Sequence, residues 1–265
     1  MLGAIIGDIV GSRFEWHNHR SKDFELFTDD CFFTDDSVMT VAITKALLNA
    51  NSAYTDLSDK AIYFMQDIGR HYPNAGYGGR FGIWMFSDNP TPYDSYGNGA
   101  AMRVSACGEV GNDLDQALSL SDKVTIVTHG HKEGLKGARA TVECMVLAKN
   151  GYTKEQIRKA VEEKYYKLDF TLDEIRFTYR FNETCQNTVP QAIEAFLESE
   201  SFEDAIRNAI SIGGDSDTLA AITGAIAESY YGIPLDLRNK ALSYLDERLK
   251  TIVFEFEKKY PPIIK

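Results

Sequence analysis

At 265 residues, 44% of them hydrophobic, the chain can bury a sizeable core in one large domain or two small ones. A net charge of −11, with no stripe dense in Lys and Arg, argues against a protein that grips a nucleic-acid backbone. No window approaches the roughly 18 uninterrupted apolar residues of a transmembrane helix, so no membrane partner is expected.

The chain opens Met1-Leu2-Gly3-Ala4-Ile5-Ile6-Gly7-Asp8, an apolar run too short for a signal peptide and with no basic region before it. Residues 16–33 show no period and read as a loop. Glu15, His17 and His19 fall at its start, and both histidines are expected at the surface. Thr34-Asp35-Asp36-Ser37 then leads directly into a helical pattern over Val38–Leu48. Ala61–Ile68 follows. Two further irregular stretches, Tyr72–Gly82 and Ser87–Gly99, carry glycine-rich segments, and loops of this length in a helical domain tend to be functional. Helical spacing resumes over Ala101–Cys107, Asp115–Val127, Gly134–Lys149 and Glu155–Tyr165, the last opened by a capping box, Thr153 to Gln156. Phe177–Phe181 is the best strand candidate. Val189–Leu197, Ala205–Ile212, Leu219–Tyr231 and Leu237–Phe256 complete the pattern, with Ser201-Phe202-Glu203-Asp204 resembling a capping box. The expectation is an all-α fold, a compact orthogonal multi-helix bundle. No Pro/Ser linker or composition break divides it, so residues 1–265 read as a single domain.

Cys31, Cys107, Cys144 and Cys185 are scattered and form no C-x-x-C pair. Neither a zinc ribbon nor a redox motif is indicated, and a reducing cytoplasm fits. No Gly-x-Ser-x-Gly elbow exists and no cysteine has a histidine near it in sequence, so a covalent nucleophile has no support.

Two acidic motifs remain, almost a chain length apart: Thr34-Asp35-Asp36-Ser37 and Gly214-Asp215-Ser216-Asp217-Thr218. Taken singly, each reads as a helix cap, because Asp, Ser and Thr oxygens accept from the free N–H groups of a first turn. Capping needs one oxygen, however, and each motif offers three. An EF-hand starting at Asp215 is excluded, since Ala220 and Ile226 stand where Gly and Glu are needed. If the fold unites the two helix starts, four Asp carboxylates and two Thr hydroxyls surround one point. That is an all-oxygen site for hard divalent ions, with two Mg²⁺ expected, and a metal-activated water is the chemistry it favours.

The glycine-rich segments are Gly76-Tyr77-Gly78-Gly79-Arg80 and Gly97-Asn98-Gly99-Ala100-Ala101-Met102-Arg103. Both fail the dinucleotide fingerprint, having Phe81 or Met102 in place of the third Gly. They read either as ordinary turns or as anion cradles built from backbone N–H groups. Arg103 would pair with a phosphate or with a structural carboxylate. His129-Gly130-His131 has no further ligand at zinc spacing and reads as a cap or as a hydrogen-bond donor to a substrate.

Six blocks carry a family resemblance. They are Gly7 to Glu15, Phe33 to Ser37, Gly76 to Gly79, Ser95 to Val104, Thr128-His129 and Gly213 to Thr218, in order. Together they resemble the ADP-ribosylglycohydrolases, from residue 3 to about 234. The resemblance implies an all-α fold with a binuclear Mg²⁺ (or Mn²⁺) centre at helix N-termini, at the base of an ADP-ribose cleft. It implies that Thr34, Asp35 and Asp36 hold one metal, Asp215 and Thr218 the other, and that Asp217 bridges. Glu15 corresponds to a glutamate beside the metals that gates the site or acts as base, giving a catalytic set of Glu15, Asp35, Asp36 and Asp217. Gly76, Tyr77, Gly78, Gly79 and Ser95 would cradle the diphosphate, and Tyr96 would stack on adenine. Gly97, Asn98, Gly99 and Met102 form the next part of the ligand wall, with Asn98 on the distal ribose and His129 on ribose or phosphate. Ser37 stands where many relatives have Thr. The glycine blocks resemble the branch that cleaves O-linked ADP-ribose, and the 16–33 loop matches neither that branch nor the arginine-specific one.

The implied function is Mg-dependent hydrolysis of the glycosidic bond at the distal ribose. The implied partner is an ADP-ribosylated protein or a small ADP-ribose conjugate, with nucleic acid only as a modified substrate. A cytoplasmic monomer is expected. Two other classes stay open at this point: a metal-dependent phosphohydrolase, and a non-catalytic ADP-ribose-binding or immunity module.

Overall fold

The structure is a computed structural model that describes residues 1–265. Fifteen α-helices form and no sheet does; the only β-type contacts are isolated bridges, Gly97 with Thr184 and Ile233 with Ile264. In chain order the helices are α1 (Leu2–Gly11), α2 (Asp35–Asn49), α3 (Leu57–Gly69), α4 (Gly79–Phe86), α5 (Gly99–Met102) and α6 (Ser105–Val110). Then come α7 (Leu114–His129), α8 (Lys132–Lys149), α9 (Lys154–Lys164), α10 (Leu172–Ile175) and α11 (Cys185–Leu197). The last four are α12 (Phe202–Ser211), α13 (Ser216–Tyr231), α14 (Leu235–Tyr244) and α15 (Glu247–Lys259). No helix is long and apolar enough to cross a membrane.

The all-α expectation is what the structure shows, with five local differences, the first being α4, which begins at Gly79 inside the stretch 72–82 expected to be irregular. Helix α1 has no counterpart in the periodicity, because all ten of its residues are buried and it presents no polar face. The expected Leu237–Phe256 helix is two helices: the chain extends at Leu245 and restarts where Asp246 accepts from the N–H of Leu249 at 3.0 Å. Ala101–Cys107 likewise splits at Arg103–Val104 into α5 and α6. Phe177–Phe181 is no strand. It follows the short capped helix α10 and turns, with the N–H groups of Thr178 and Tyr179 both donating to the carbonyl of Ile175.

Helices α1 and α13 run antiparallel in close contact, and their spacing is set by glycine. A Cβ on Gly3 would meet the carbonyl of Gly224, one on Gly7 the carbonyl of Ala220, and one on Gly11 would stand 2.5 Å from the Cα of Asp217. Gly3, Gly7 and Gly11 thus form a bare stripe, four residues apart, on which α13 lies. The apolar side chains of the chain form one contiguous buried cluster that includes Ile5, Val38, Met39, Leu219 and Ile222. The two acidic helix starts therefore grow out of the same core, although the sequence separates them widely.

Candidate active site

Asp8, near the end of α1, organises the first motif. Its Oδ2 accepts from the N–H of Thr34 at 2.9 Å, from the N–H of Ser37 at 3.0 Å and from the Ser37 hydroxyl. Its Oδ1 accepts from the Thr34 hydroxyl at 2.6 Å. Thr34 in turn caps α2, its Oγ1 accepting from the N–H of Asp36 at 3.2 Å. A buried carboxylate with four donors is held on both oxygens, so the turn that presents Asp35 and Asp36 has one conformation. Burial still pushes the Asp8 carboxyl up, to about 6, against those hydrogen bonds.

The second motif leaves a turn in which Gly213 and Gly214 both have positive φ, +68° and +80°, a backbone that other residues rarely adopt. The 16–33 loop braces this turn. Asn18 accepts from the N–H of Gly214 at 2.8 Å and returns a bond to its carbonyl at 2.9 Å. Arg20 donates to the carbonyls of Ile212, at 2.7 Å, and Tyr179, at 2.8 Å. That loop thus supports the second acidic motif. Of its histidines, His17 is exposed as expected, while His19 is half-buried against Phe14 and Phe24.

The two motifs meet. The Thr218 hydroxyl donates to Asp36 Oδ2 at 3.1 Å across the junction of α2 and α13. Ligand oxygens of Glu15, Asp215 and Asp217 lie within 4.8 Å of one another. Burial, and then the neighbouring carboxylates, raises Asp35, Asp36 and Asp217 well above the usual carboxylate range. Glu15 is raised to about 7 for the same two reasons, burial first and Asp215 next. Asp36 Oδ1 and Asp217 Oδ1 are buried with no hydrogen-bond partner. Buried, unpartnered carboxylate oxygens that form no ion pair with Lys or Arg are what a divalent cation would satisfy, so the donor set fits hard metal ions.

These groups belong to a cleft of about 420 Å³. Glu15, Asp35, Asp36, Asp215, Asp217 and Thr218 line it, as do Gly76, Gly78, Gly79, Ser95, Tyr96, Gly97, Asn98, Gly99, Met102 and His129. Two expected site residues stand off its wall. Tyr77 tilts its ring against Phe81, centroids 5.6 Å apart, with its hydroxyl 3.4 Å from the carbonyl of Gly69. Thr34 sits between Asp8 and Asp36, where its proton serves Asp8. Asn98 ties the halves together, its amide donating to Asp215 Oδ2 at 2.6 Å and to Thr188 at 3.2 Å. Tyr96 is 48% exposed, its ring tilted over His131 with centroids 5.2 Å apart. His131 caps α8, accepting from the N–H of Glu133 at 3.2 Å.

Arg103 makes no ion pair with a carboxylate. It is buried in the cleft wall and donates to Thr128 Oγ1 at 2.6 Å. Sequence reasoning missed Asp8 as the organiser of the first motif, although it stands inside a quoted block. It also missed Tyr93, Phe181, Glu183 and Thr184, which line the cleft from loops without a motif. Phe181 carries Trp16 stacked on it at 5.1 Å.

A family model described as ADP-ribosylglycohydrolase matches residues 1–259. The chain belongs to the ADP-ribosylglycohydrolase family. Among ADP-ribosylglycohydrolase relatives, the mouse ADP-ribosylhydrolase ARH3 is 26% identical, with 88% of this chain and 83% of that one aligned. The Xenopus tropicalis ADP-ribosylhydrolase ARH3 is 24% identical over 93% of this chain and 91% of its own. A solved structure described as an ADP-ribosylglycohydrolase-related protein complex superposes with a TM-score of 0.68 at 22% identity. It covers 97% of this chain and 95% of that one, so the family's helical fold is shared throughout.

Proposed function

We propose that the protein hydrolyses the glycosidic bond at the distal ribose of ADP-ribose, releasing it from a modified protein or a small conjugate. One observation carries this reading: a single cleft is lined by carboxylates of both helix starts and by the two glycine loops with Tyr96. Family membership and the ADP-ribosylhydrolases among the relatives support it.

Asp35, Asp36, Asp215, Asp217 and Thr218 would hold the divalent ions, Mg²⁺ or Mn²⁺, with Thr34 fixing the turn that carries the first two. Bound there, divalent ions supply positive charge for the ribose hydroxyls and lower the pKa of water. The protein's own groups do the rest. Glu15, half-buried beside Asp215 and Asp217, moves the proton that the reaction must transfer as the bond breaks through an oxocarbenium-like state. Asn98, fixed by Asp215 and Thr188, orients the distal ribose. Backbone N–H groups of Gly76 to Gly79 and the Ser95 hydroxyl receive the diphosphate, and Tyr96 stacks on adenine.

Calorimetric titration with Mg²⁺ present tests the assignment of the acidic groups to ribose. ADP-ribose is expected to bind much more tightly than ADP, which lacks the distal ribose. A phosphate-ester hydrolase would put phosphate on the acidic groups, so equal affinities would count against the glycohydrolase reading. Glu15→Gln should lower turnover more than ligand affinity.

A further inference from the structure

Arg103 is 1% exposed and makes no ion pair; its hydrogen-bond partners are two uncharged side chains and a carbonyl. A buried guanidinium without a carboxylate is costly, and a purely structural arginine normally has one. Its Nε is buried with no partner at all. Its Nη2 donates to Thr128 Oγ1 at 2.6 Å and lies 3.4 Å from His129 Nδ1. Thr128 Oγ1 itself is 2.8 Å from the same Nδ1. Because the Thr128 oxygen accepts from a cation that cannot give up its charge, its own proton is free to point at Nδ1. Two donors therefore converge on one ring nitrogen.

We infer that Arg103 is a positioning residue: together with Thr128 it holds His129 as the neutral imidazole protonated on Nε2, so that the ring donates a hydrogen bond into the cleft. The ring nitrogen so protonated faces the second glycine loop; a Cβ on Gly99 would stand 3.4 Å from it and one on Gly97 3.5 Å. Both residues line the cleft with His129 and Arg103, so Nε2–H is offered where the ligand passes. The titratable groups facing the ring are Arg103 and Tyr93, the latter's ring centroid 6.1 Å away, and neither is an acid at neutral pH. Burial first, and the Arg103 charge second, hold His129 well below its ordinary pKa, in keeping with a ring that stays neutral. The unbalanced charge of Arg103 is then available to an anionic ligand. This last step rests on the ADP-ribose reading, whose diphosphate is the anion.

The test is nitrogen-15 NMR of the histidine ring nitrogens at pH 6, with the His129 signals assigned by their absence in His129→Gln. In the wild-type protein His129 should show a protonated Nε2 and an unprotonated Nδ1. Arg103→Met and the isosteric Thr128→Val should each admit the other tautomer or the charged ring, while Arg103→Lys should stay nearer the wild type. Arg103→Met should also weaken ADP-ribose binding roughly ten- to a hundredfold, the scale of a lost charge-assisted hydrogen bond. A wild-type His129 that is charged or protonated on Nδ1 overturns the inference, as does a spectrum unchanged in the folded variants. Should Arg103→Met fail to fold, the wild-type and Thr128→Val spectra still decide. The spectra need no substrate, so a protein inactive on every ADP-ribose conjugate would sink the glycohydrolase reading and leave this measurement intact.

Discussion

A Cβ on Gly11 would stand 2.5 Å from the Cα of Asp217. The last residue of α1 thus lies directly against the backbone that presents a site carboxylate, 206 residues later in the chain. The absence of side chains at Gly3, Gly7 and Gly11 lets α13 come close enough for its first turn to join the first turn of α2. Fold and site meet in that stripe.

Gly7→Ala should therefore damage both stability and activity. Its Cβ would meet the Ala220 carbonyl, which is backbone and cannot swing aside. Overpacking of this kind costs about 1–3 kcal/mol, occasionally more. At about 2–4 °C per kcal/mol in a protein of this size, the melting temperature should fall by several degrees, and turnover should fall further as the two helix starts separate. Melting curves and turnover on one ADP-ribose conjugate check both.

Asp8→Ala should be worse than its distance from the cleft suggests. It strands the N–H groups of Thr34 and Ser37 and frees the hydroxyls of both. Each buried unsatisfied donor costs about 1–3 kcal/mol, so a loss of roughly 3 kcal/mol or more is expected in chemical denaturation. Activity should vanish with it, because Asp35 and Asp36 lose their fixed turn. Unaltered stability would remove Asp8 from its organising role.

The site carboxylates make a prediction about pH. Asp35, Asp36 and Asp217 have native pKa values raised well above the usual carboxylate range. A carboxyl whose pKa is higher folded than unfolded binds its proton more readily in the native state. Its contribution therefore favours folding at low pH, and is lost as pH rises from the ordinary carboxylate range through the raised native values. In chelator, melting measured between pH 7.5 and pH 5 should rise as pH is lowered through this window. Asp36→Asn, with one charge fewer, should melt higher than wild type in chelator at pH 7.5 and lower than wild type in excess Mg²⁺, since bound metal stabilises by mass action. The same ranking in both conditions would contradict a metal role for Asp36.

How much of this was legible in the sequence depends on which signals are local. The helix starts at Asp35 and Ser216 were readable because the Thr34 cap and the first-turn acids Asp35, Asp36 and Asp217 are written in consecutive residues. The family blocks added the cleft. Helix α1 was invisible because periodicity needs a polar face and it has none. The break at Leu245–Asp246 was hidden by apolar spacing that continues across it. Phe181 and Glu183 reach the cleft through a turn, and Asp8 acts through hydrogen bonds to residues 26 and more positions away. Neither kind of placement leaves a trace in neighbouring residues.

Tyr96→Ala should weaken ADP-ribose binding by roughly 1–3 kcal/mol, the scale of one base–aromatic stack, with less effect on the chemical step. The ring is 48% exposed and only tilts over His131, so its loss should hardly change melting. Calorimetry and single-turnover rates separate the two effects, and a lost rate with unchanged affinity would refute the stacking role.

The most direct measurement is of the product. The protein, with Mg²⁺, is incubated in separate reactions with arginine-, serine- and nucleic-acid-linked ADP-ribose, and the released species is identified by mass. Free ADP-ribose, from at least one conjugate and lost in Asp217→Ala, is the predicted result. Release of AMP or inorganic phosphate instead, or no release from any of the three, would contradict it.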